Sequence, residues 1–329
     1  MRDGRLASGG IHVDVLIASG DRRAAFERDV LVGLSLEPKE LPPKWFYDER
    51  GSELFDEITR LPEYYLTERE REILRERAAE LAAALDVDTL VELGSGTSEK
   101  TRLLIDALLA AGGLERLVVF DYSEEFLLAA AGVLAEAYPQ LEVHAVVGDF
   151  EQLDRLPGEG ARLIAFLGST IGNLQPAVRE AFLMRLAKQL RPKEAALLGV
   201  DLVKDVRRLE AAYNDSRGVT AAFNRNILEV LNRELHADFV PERFEHVARF
   251  DREREWIEML LRSTCDQRVR IEDLDLDVHF AQGEEMRTEI SAKFRREGVE
   301  GELRAAGLEL ARWYSDARAD FAVALAVPS

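Results

Sequence analysis

Short apolar runs alternate with helix-type patterns between residues 90 and 202. Five of these runs are typical of buried parallel strands, at residues 90–93, 117–120, 143–147, 163–167 and 195–200. Apolar residues recur at helical spacing between some of them, at residues 100–111, 124–137 and 177–189. This alternation predicts an α/β fold built on a doubly wound parallel sheet.

The pattern changes after residue 205. Residues 207–232 predict helices that are interrupted at Gly218. Strand-like pieces follow, at residues 246–250, 255–263, 278–280 and 288–294. The C-terminal part then predicts one helix and an antiparallel pair of strands that closes the sheet, at residues 299–306, 308–314 and 321–327.

These changes of pattern predict two domains. Residues 70–203 and 295–329 are expected to form a cofactor-binding Rossmann-like core. Residues 20–69 and 204–294 are expected to form a second α+β domain that binds substrate, and residues 1–19 are expected to be flexible.

The first predicted strand runs into a glycine turn at Gly94 and Gly96. Thr97, Ser98 and Glu99 then start a predicted helix, which gives the order of a nucleotide-type cofactor cradle. A dinucleotide fingerprint needs a small residue where Glu99 stands, and a phosphate loop needs a Gly-Lys-Ser/Thr ending that is absent. The turn therefore resembles motif I of the class I methyltransferases, which bind S-adenosylmethionine.

Polar groups also follow the neighbouring strands. Asp121 ends the second strand, where a carboxylate can accept both ribose hydroxyls. Asp149 and Phe150 follow the third, where they suit an adenine amino group and its ring. Lys100 opposes the macrodipole of the helix it starts, which an anionic group such as the cofactor carboxylate would offset. A single carboxylate at a strand end is more often a helix cap, so only the set of strand-end groups as a whole indicates a cofactor site.

Composition narrows the classes of function. The chain of 329 residues has a net charge of −19, which argues against a nucleic-acid or anionic-membrane binder. The single cysteine, Cys265, excludes a disulfide within the chain. The five histidines are expected to form no ligand-spaced cluster, so no metal is expected. With neither a membrane span nor a convincing signal peptide, we expect a cytoplasmic protein. Nothing in the sequence pattern demands more than a monomer, so a monomer is expected.

Several unusual strings carry a resemblance to a known family. Among them are Leu41-Pro-Pro-Lys-Trp-Phe-Tyr-Asp48, Phe166-Leu-Gly-Ser-Thr-Ile-Gly-Asn173 and Glu289-Ile-Ser-Ala-Lys-Phe294. Others lie at residues 51–58, 61–65, 218–226 and 256–259. Together, from about residue 25 to the end, the chain resembles the histidine N-α-methyltransferases of ergothioneine biosynthesis, the EgtD family.

The resemblance implies a class I methyltransferase that transfers three methyl groups from S-adenosyl-L-methionine to the α-amino group of L-histidine. The products are hercynine and S-adenosyl-L-homocysteine. It implies cofactor contacts at Tyr47, Gly94, Gly96, Lys100, Asp121, Asp149 and Phe150. It implies substrate contacts at Tyr64, Asn173, Tyr213, Met259, Glu289 and Ser291.

The implied substrate contacts divide by role. Asn173 and Tyr213 match residues that hold the α-amino and carboxylate groups, whereas Tyr64, Glu289 and Ser291 match those around the imidazole. Met259 lines the same pocket. Tyr47 and Asn173 are the catalytic candidates, because they can orient the amine.

Three other functions fit the sequence less well than methylation of histidine. A methyltransferase for another amino acid, such as tryptophan, would not need a carboxylate at Glu289 in its side-chain pocket. A nicotinamide oxidoreductase conflicts with Glu99, and a binding-only domain would not need the complete set of substrate residues.

Overall fold

The computed structural model describes residues 5–6, 11–17, 19–96, 98, 100–150, 158 and 160–329. The chain forms two compact units. Unit 1 comprises Met1–Ile17, Leu66–Val203 and Lys293–Ser329, and unit 2 comprises Ala18–Tyr65 and Lys204–Ala292.

The helices and strands follow in chain order. The first part contains β1 (Arg5–Leu6), β2 (His12–Val15), α1 (Ser19–Gly33), α2 (Glu49–Ile58), α3 (Leu66–Ala84), β3 (Thr89–Leu93), α4 (Thr101–Ala111), β4 (Arg116–Asp121), α5 (Glu124–Ala137), β5 (Glu142–Val147), β6 (Arg162–Phe166), α6 (Pro176–Gln189) and β7 (Ala195–Asp201). The second part contains α7 (Val206–Tyr213), α8 (Val219–Leu235), β8 (Phe244–Asp251), β9 (Trp256–Ser263), β10 (Gln267–Ile271), β11 (Leu276–Phe280), β12 (Glu285–Ala292), α9 (Arg296–Ala305), β13 (Leu308–Ser315) and β14 (Phe321–Pro328). Among the described residues, no helix is both long and apolar enough to cross a membrane.

Unit 1 is built on a nine-stranded sheet with the order β1-β2-β5-β4-β3-β6-β7-β14-β13. Strands β2 to β7 run parallel, and β14 joins β7 and β13 in antiparallel register. Every residue of β3, β6 and β7 is buried, as expected for parallel strands covered on both faces. The predicted α/β fold with terminal antiparallel strands is therefore confirmed.

Strand order reverses between β3 and β6. Loops after strands on either side of such a point diverge and leave a crevice at the carboxyl ends of the strands, where ligands bind in this fold. The turn after β3 and the loop after β6 thus lie where a cofactor is expected.

The N-terminal segment contains a strand, which differs from the expectation that residues 1–19 are flexible. Strand β2 pairs in parallel with β5 over its whole length. Val13 of this strand is only 1% exposed. A short alternation of apolar and polar residues is a weak signal by itself, and the unpaired edge of β5 makes it a strand.

Unit 2 combines helices with antiparallel strands. Its three-stranded sheet has the order β12-β9-β8, and β10 and β11 form a separate hairpin. The predicted break at Gly218 is observed, because this glycine has φ +73° and Asp215 accepts hydrogen bonds from Val219 N and Thr220 N at the start of α8. Strand β10 was not predicted, since arginine occupies two of its five positions.

Candidate functional site

The turn after β3 adopts a left-handed backbone conformation at both of its glycines. Gly94 has φ +67° and Gly96 has φ +49°, a region that side chains disfavour. Gly94 N donates to Phe120 O at 2.8 Å, which ties the turn to β4. Gly96 N lies 3.4 Å from Asp121 Oδ2, so two of the predicted cofactor positions are adjacent. Thr97 and Glu99, which the sequence places at the helix start, lie outside the described residues.

The loop after β5 carries the other predicted cofactor pair. Asp149 is buried, with 8% of its surface exposed. The half-buried ring of Phe150 packs against Phe166 and Phe182, with centroid distances of 5.1 and 6.3 Å. Contacts to β6 and α6 therefore fix the orientation of the ring at this edge of the sheet.

Lys100 has a protein partner that the sequence did not reveal. Its Nζ contacts Glu70 Oε2, and Glu70 is completely buried on α3. The carboxylate therefore supplies an anionic partner to a lysine that opposes the dipole of α4, a role that the sequence analysis assigned to the ligand. The Lys100 side chain remains 21% exposed.

Glu70 also anchors the loop after β6. Both of its carboxylate oxygens accept from Gly168 N, at 2.9 and 3.0 Å. An ideal Cβ on Gly199 of β7 would lie 2.0 Å from Glu70 Oε1, so this position needs glycine. The same carboxylate therefore organises the predicted cofactor lysine and the start of the loop that carries Asn173.

Asn173 lies in a short 3-10 turn, Thr170–Asn173, and is partly exposed. Ser169, with φ +60°, precedes the turn and accepts a hydrogen bond from Asp201 N at 2.9 Å. The loop is thus held at both Gly168 and Ser169, which limits the freedom of the predicted amine-orienting residue.

Four predicted site residues of unit 2 are linked by aromatic contacts and one hydrogen bond. Tyr47 meets Phe55 edge-on at 5.6 Å, and Phe55 meets Tyr64 at 6.2 Å. Tyr64 meets Tyr213 at 6.3 Å, and the Tyr213 hydroxyl lies 2.7 Å from Ser291 Oγ. The structure therefore brings Tyr47, Tyr64, Tyr213 and Ser291 into one continuous cluster, with Phe55 as a member that the sequence did not indicate.

Strands β9 and β12 carry the remaining predicted substrate residues. Glu289 and Met259 are register partners, and both are buried, with 8% and 2% exposed. Ser291 is two residues along the same strand, where side chains share a face. A carboxylate and a hydroxyl are thus both buried on one face of β12.

A β-bulge precedes Glu289. The register shifts between Arg287 and Glu289, so Thr288 has no partner residue on β9. Its buried hydroxyl donates to Asn224 Oδ1 at 2.6 Å, and Asn224 Nδ2 donates to Leu260 O at 3.1 Å. A bulge redirects the side chains that follow it, so Thr288 and Asn224 help to set the direction of Glu289.

The comparisons with known proteins point to one family. The family described as "Histidine-specific methyltransferase, SAM-dependent" matches residues 26–328. The chain belongs to this family. It is 55% identical to "Histidine N-alpha-methyltransferase" of Mycolicibacterium smegmatis over 312 residues. This alignment covers 94% of this chain and 97% of that protein. It is 57% identical over 303 residues to the protein of the same name from Mycobacterium tuberculosis, which covers 92% and 94%.

A more distant relative is "Ergothioneine biosynthesis protein 1" of Neurospora crassa. It is 35% identical over 201 residues, which cover 59% of this chain and 23% of that protein. Family membership confirms the resemblance inferred from the sequence and the prediction of S-adenosylmethionine as cofactor. The roles of individual site residues in this histidine-specific methyltransferase stay predictions.

Two histidines and an aspartate of the methyltransferase lie close together, which the sequence did not predict. His12, Asp14 and His144 each offer one potential ligand atom, and these atoms all lie within 4.8 Å of one another. The expectation that the histidines form no ligand-spaced cluster is therefore wrong. The signal was hidden because His144 is far from the other two in sequence and meets them only through the pairing of β2 with β5.

Glu92 is a buried carboxyl group in the glycine-turn motif of the methyltransferase. Burial raises the pKa of this carboxyl group to about 7. Hydrogen bonds from Thr101 and Ser98 and the charge of Lys100 lower the pKa, but burial has the larger effect. The Ser98 hydroxyl donates to Glu92 Oε2 at 2.9 Å. The carboxyl group thus gains a proton on folding at mildly acidic pH.

This gives a prediction for the pH dependence of stability. Between about pH 4.5 and pH 7, folded Glu92 binds a proton that the unfolded chain has released, so stability falls as pH rises through this window. We expect Glu92→Gln to remove this dependence. The free energy of unfolding of the variant, measured relative to that of the wild type, should therefore rise by roughly 3 kcal/mol between about pH 4.5 and about pH 8. Urea unfolding across this range measures it, with exposed Glu115→Gln as the control. Parallel curves for wild type and Glu92→Gln would contradict the assignment.

Proposed function

We propose that this protein methylates the α-amino nitrogen of L-histidine three times with S-adenosylmethionine, yielding hercynine and S-adenosylhomocysteine. This is the first step of ergothioneine biosynthesis. The observation that carries the proposal is identity of 55% and 57% to two histidine N-alpha-methyltransferases, over more than nine-tenths of the chain. The buried pair of Glu289 and Ser291 supports it from the structure.

The cofactor half of the site is assigned to the edge of unit 1. The positive φ of Gly94 and Gly96 leaves backbone accessible without a Cβ in the way, which fits a bulky nucleoside. In this assignment Asp121 holds the ribose, Asp149 and Phe150 hold the adenine, and Lys100 holds the carboxylate. Tyr47 completes the set. Bound S-adenosylmethionine supplies a methyl group on a sulfonium sulfur that leaves readily.

Imidazole recognition is assigned to β12 and its neighbours. Glu289 accepts an imidazole N–H, and Ser291 serves the other ring nitrogen. Tyr64 and Met259 line the same pocket, and the contact of the Tyr213 hydroxyl with Ser291 at 2.7 Å supports a shared site. A pocket that is built for two hydrogen bonds rejects side chains that cannot make them, because its own polar groups are then left unpaired.

The α-amino and carboxylate groups are assigned to Asn173 and Tyr213, and Tyr47 is assigned to orient the nitrogen together with Asn173. The amine attacks only as a neutral nitrogen, so each round releases one proton, forms one N–C bond and breaks one S–C bond. An unperturbed tyrosine has a pKa of about 10, which makes Tyr47 a poor base and favours orientation as its first role. Alignment of nitrogen and methyl group is then the main contribution of these residues.

The direct test is a competition assay. The untagged protein is incubated with S-adenosylmethionine and an equimolar mixture of the proteinogenic amino acids, and masses are read over time. We expect a gain of three methylene units on histidine alone, with mono- and dimethyl forms as transient species. Methylation of tryptophan instead would support the alternative substrate, and no methylation of any amino acid would refute both. The cytoplasmic location and monomeric state stay predictions.

A further inference from the structure

Two histidines and an aspartate share one face of the large sheet in unit 1. His12 and Asp14 are two residues apart on β2, so their side chains leave the strand on the same side. His144 on β5 is the register partner of His12. Directly paired residues of neighbouring strands also point to the same side, so all three converge without any change in backbone.

The distances suit a single ion. Ligand atoms from the three residues lie within 4.8 Å of one another, and His144 Nε2 is 3.1 Å from Asp14 Oδ2. Two ligands of a tetrahedral zinc ion, each at about 2.0–2.1 Å from the metal, are about 3.3 Å apart. The His12 and His144 rings are stacked, with centroids 4.8 Å apart and planes at 17°. The ligand atoms are close enough for one metal, and coordination would require the stacked rings to rotate so that their nitrogens converge.

Two of the nitrogens lack a hydrogen-bond partner within the described part of the chain. His12 Nδ1 and His144 Nε2 are both buried without a hydrogen-bond partner, and His144 Nε2 lies 3.1 Å from Asp14 Oδ2. A buried polar atom without a partner costs about 1–3 kcal/mol. Coordination would engage both nitrogens, whereas a single Asp–His ion pair accounts for only one.

We propose that His12, Asp14 and His144 form a binding site for a divalent transition metal of the zinc class, which links β2 to β5. Imidazole nitrogen with one carboxylate suits zinc, cobalt, nickel and copper rather than magnesium or calcium. Three protein ligands leave one tetrahedral position for water. His144 lies within β5, three residues before the carboxyl end of the strand, so the role that we assign is structural and separate from methyl transfer.

The test is metal binding by the full-length protein, purified without a polyhistidine tag and stripped with a chelator. Zinc titration by calorimetry should show one saturable equivalent, and cobalt should give the visible absorption of a nitrogen-ligated, low-coordinate ion. His144→Gln and Asp14→Asn should each weaken zinc binding by at least about tenfold. His279→Gln is the matched control, because this exposed histidine on β11 is outside the cluster.

A second measurement separates lost binding from lost folding. Zinc should raise the thermal midpoint of the wild type and of His279→Gln, and should leave that of His12→Gln and His144→Gln unchanged while their circular dichroism stays native. Absence of saturable zinc binding by the wild type would overturn the proposal. Binding that survives in both His12→Gln and His144→Gln would overturn it as well, since the metal would then sit elsewhere.

Discussion

Replacement of Glu289 by alanine is expected to lower kcat/KM for L-histidine by about 10²–10³-fold. The side chain is 8% exposed and lies on β12 directly after the bulge at Thr288. In the proposed assignment, alanine would leave the imidazole N–H of the substrate without its acceptor. Glu289→Gln keeps an acceptor oxygen and should therefore lose less.

The measurement is steady-state kinetics combined with calorimetric binding of S-adenosylmethionine, whose Kd should change by no more than about twofold. Glu285→Ala is the matched control. Glu285 lies on the same strand, but it pairs with Arg262 at 2.7 Å, and its loss should leave turnover nearly unchanged. Equal histidine turnover by Glu289→Ala and the wild type would refute the assigned role.

Replacement of Lys293 by methionine should lower the free energy of unfolding by about 3–5 kcal/mol. Lys293 Nζ lies 2.9 Å from Asp201 Oδ2, and both side chains have no exposed surface. Methionine would fill much of the space but would remove the Lys293 cation from the buried Asp201 carboxylate. Removal of one partner of a buried ion pair is more destabilising than removal of both.

Guanidinium unfolding, followed by far-ultraviolet circular dichroism, measures this loss. The double variant Lys293→Met with Asp201→Leu should recover part of the stability, because it leaves no unpaired buried charge. Lys188→Met, on the exposed side of α6, should change the free energy of unfolding by no more than about 0.5 kcal/mol. A single variant as stable as the wild type would contradict the ion-pair argument.

The strands of the large sheet were predictable because their signal is local. A run of apolar residues such as 117–120 is recognisable without its neighbours, and the observed strand β4 extends it by one residue at each end. Strands β2 and β10 were missed for the opposite reason. Both are short and alternate apolar with polar or charged residues, which is a weak local signal. Pairing of β2 with β5 and of β10 with β11 makes them strands.

The candidate cofactor residues were predictable from position in the strand pattern. Gly94, Asp121 and Asp149 lie at or just after the ends of successive strands, and parallel strands bring their carboxyl ends to one edge. Glu70 was not predictable in its role, although it falls on the buried stripe of α3 with Leu66, Ile73 and Leu74. A carboxylate on such a stripe indicates a buried partner, but helical spacing does not reveal which one.

The sequence by itself determined the family, the alternation of strands and helices that becomes the parallel sheet, and the candidate side chains of the site. Only the tertiary structure decided which groups meet. It pairs Lys100 with Glu70, the Tyr213 hydroxyl with Ser291, and His12 with His144. Each of these contacts joins segments far apart in sequence, so it depends on strand register and helix packing. Local patterns specify the elements, whereas the hydrophobic burial of all of them together specifies which polar groups face one another.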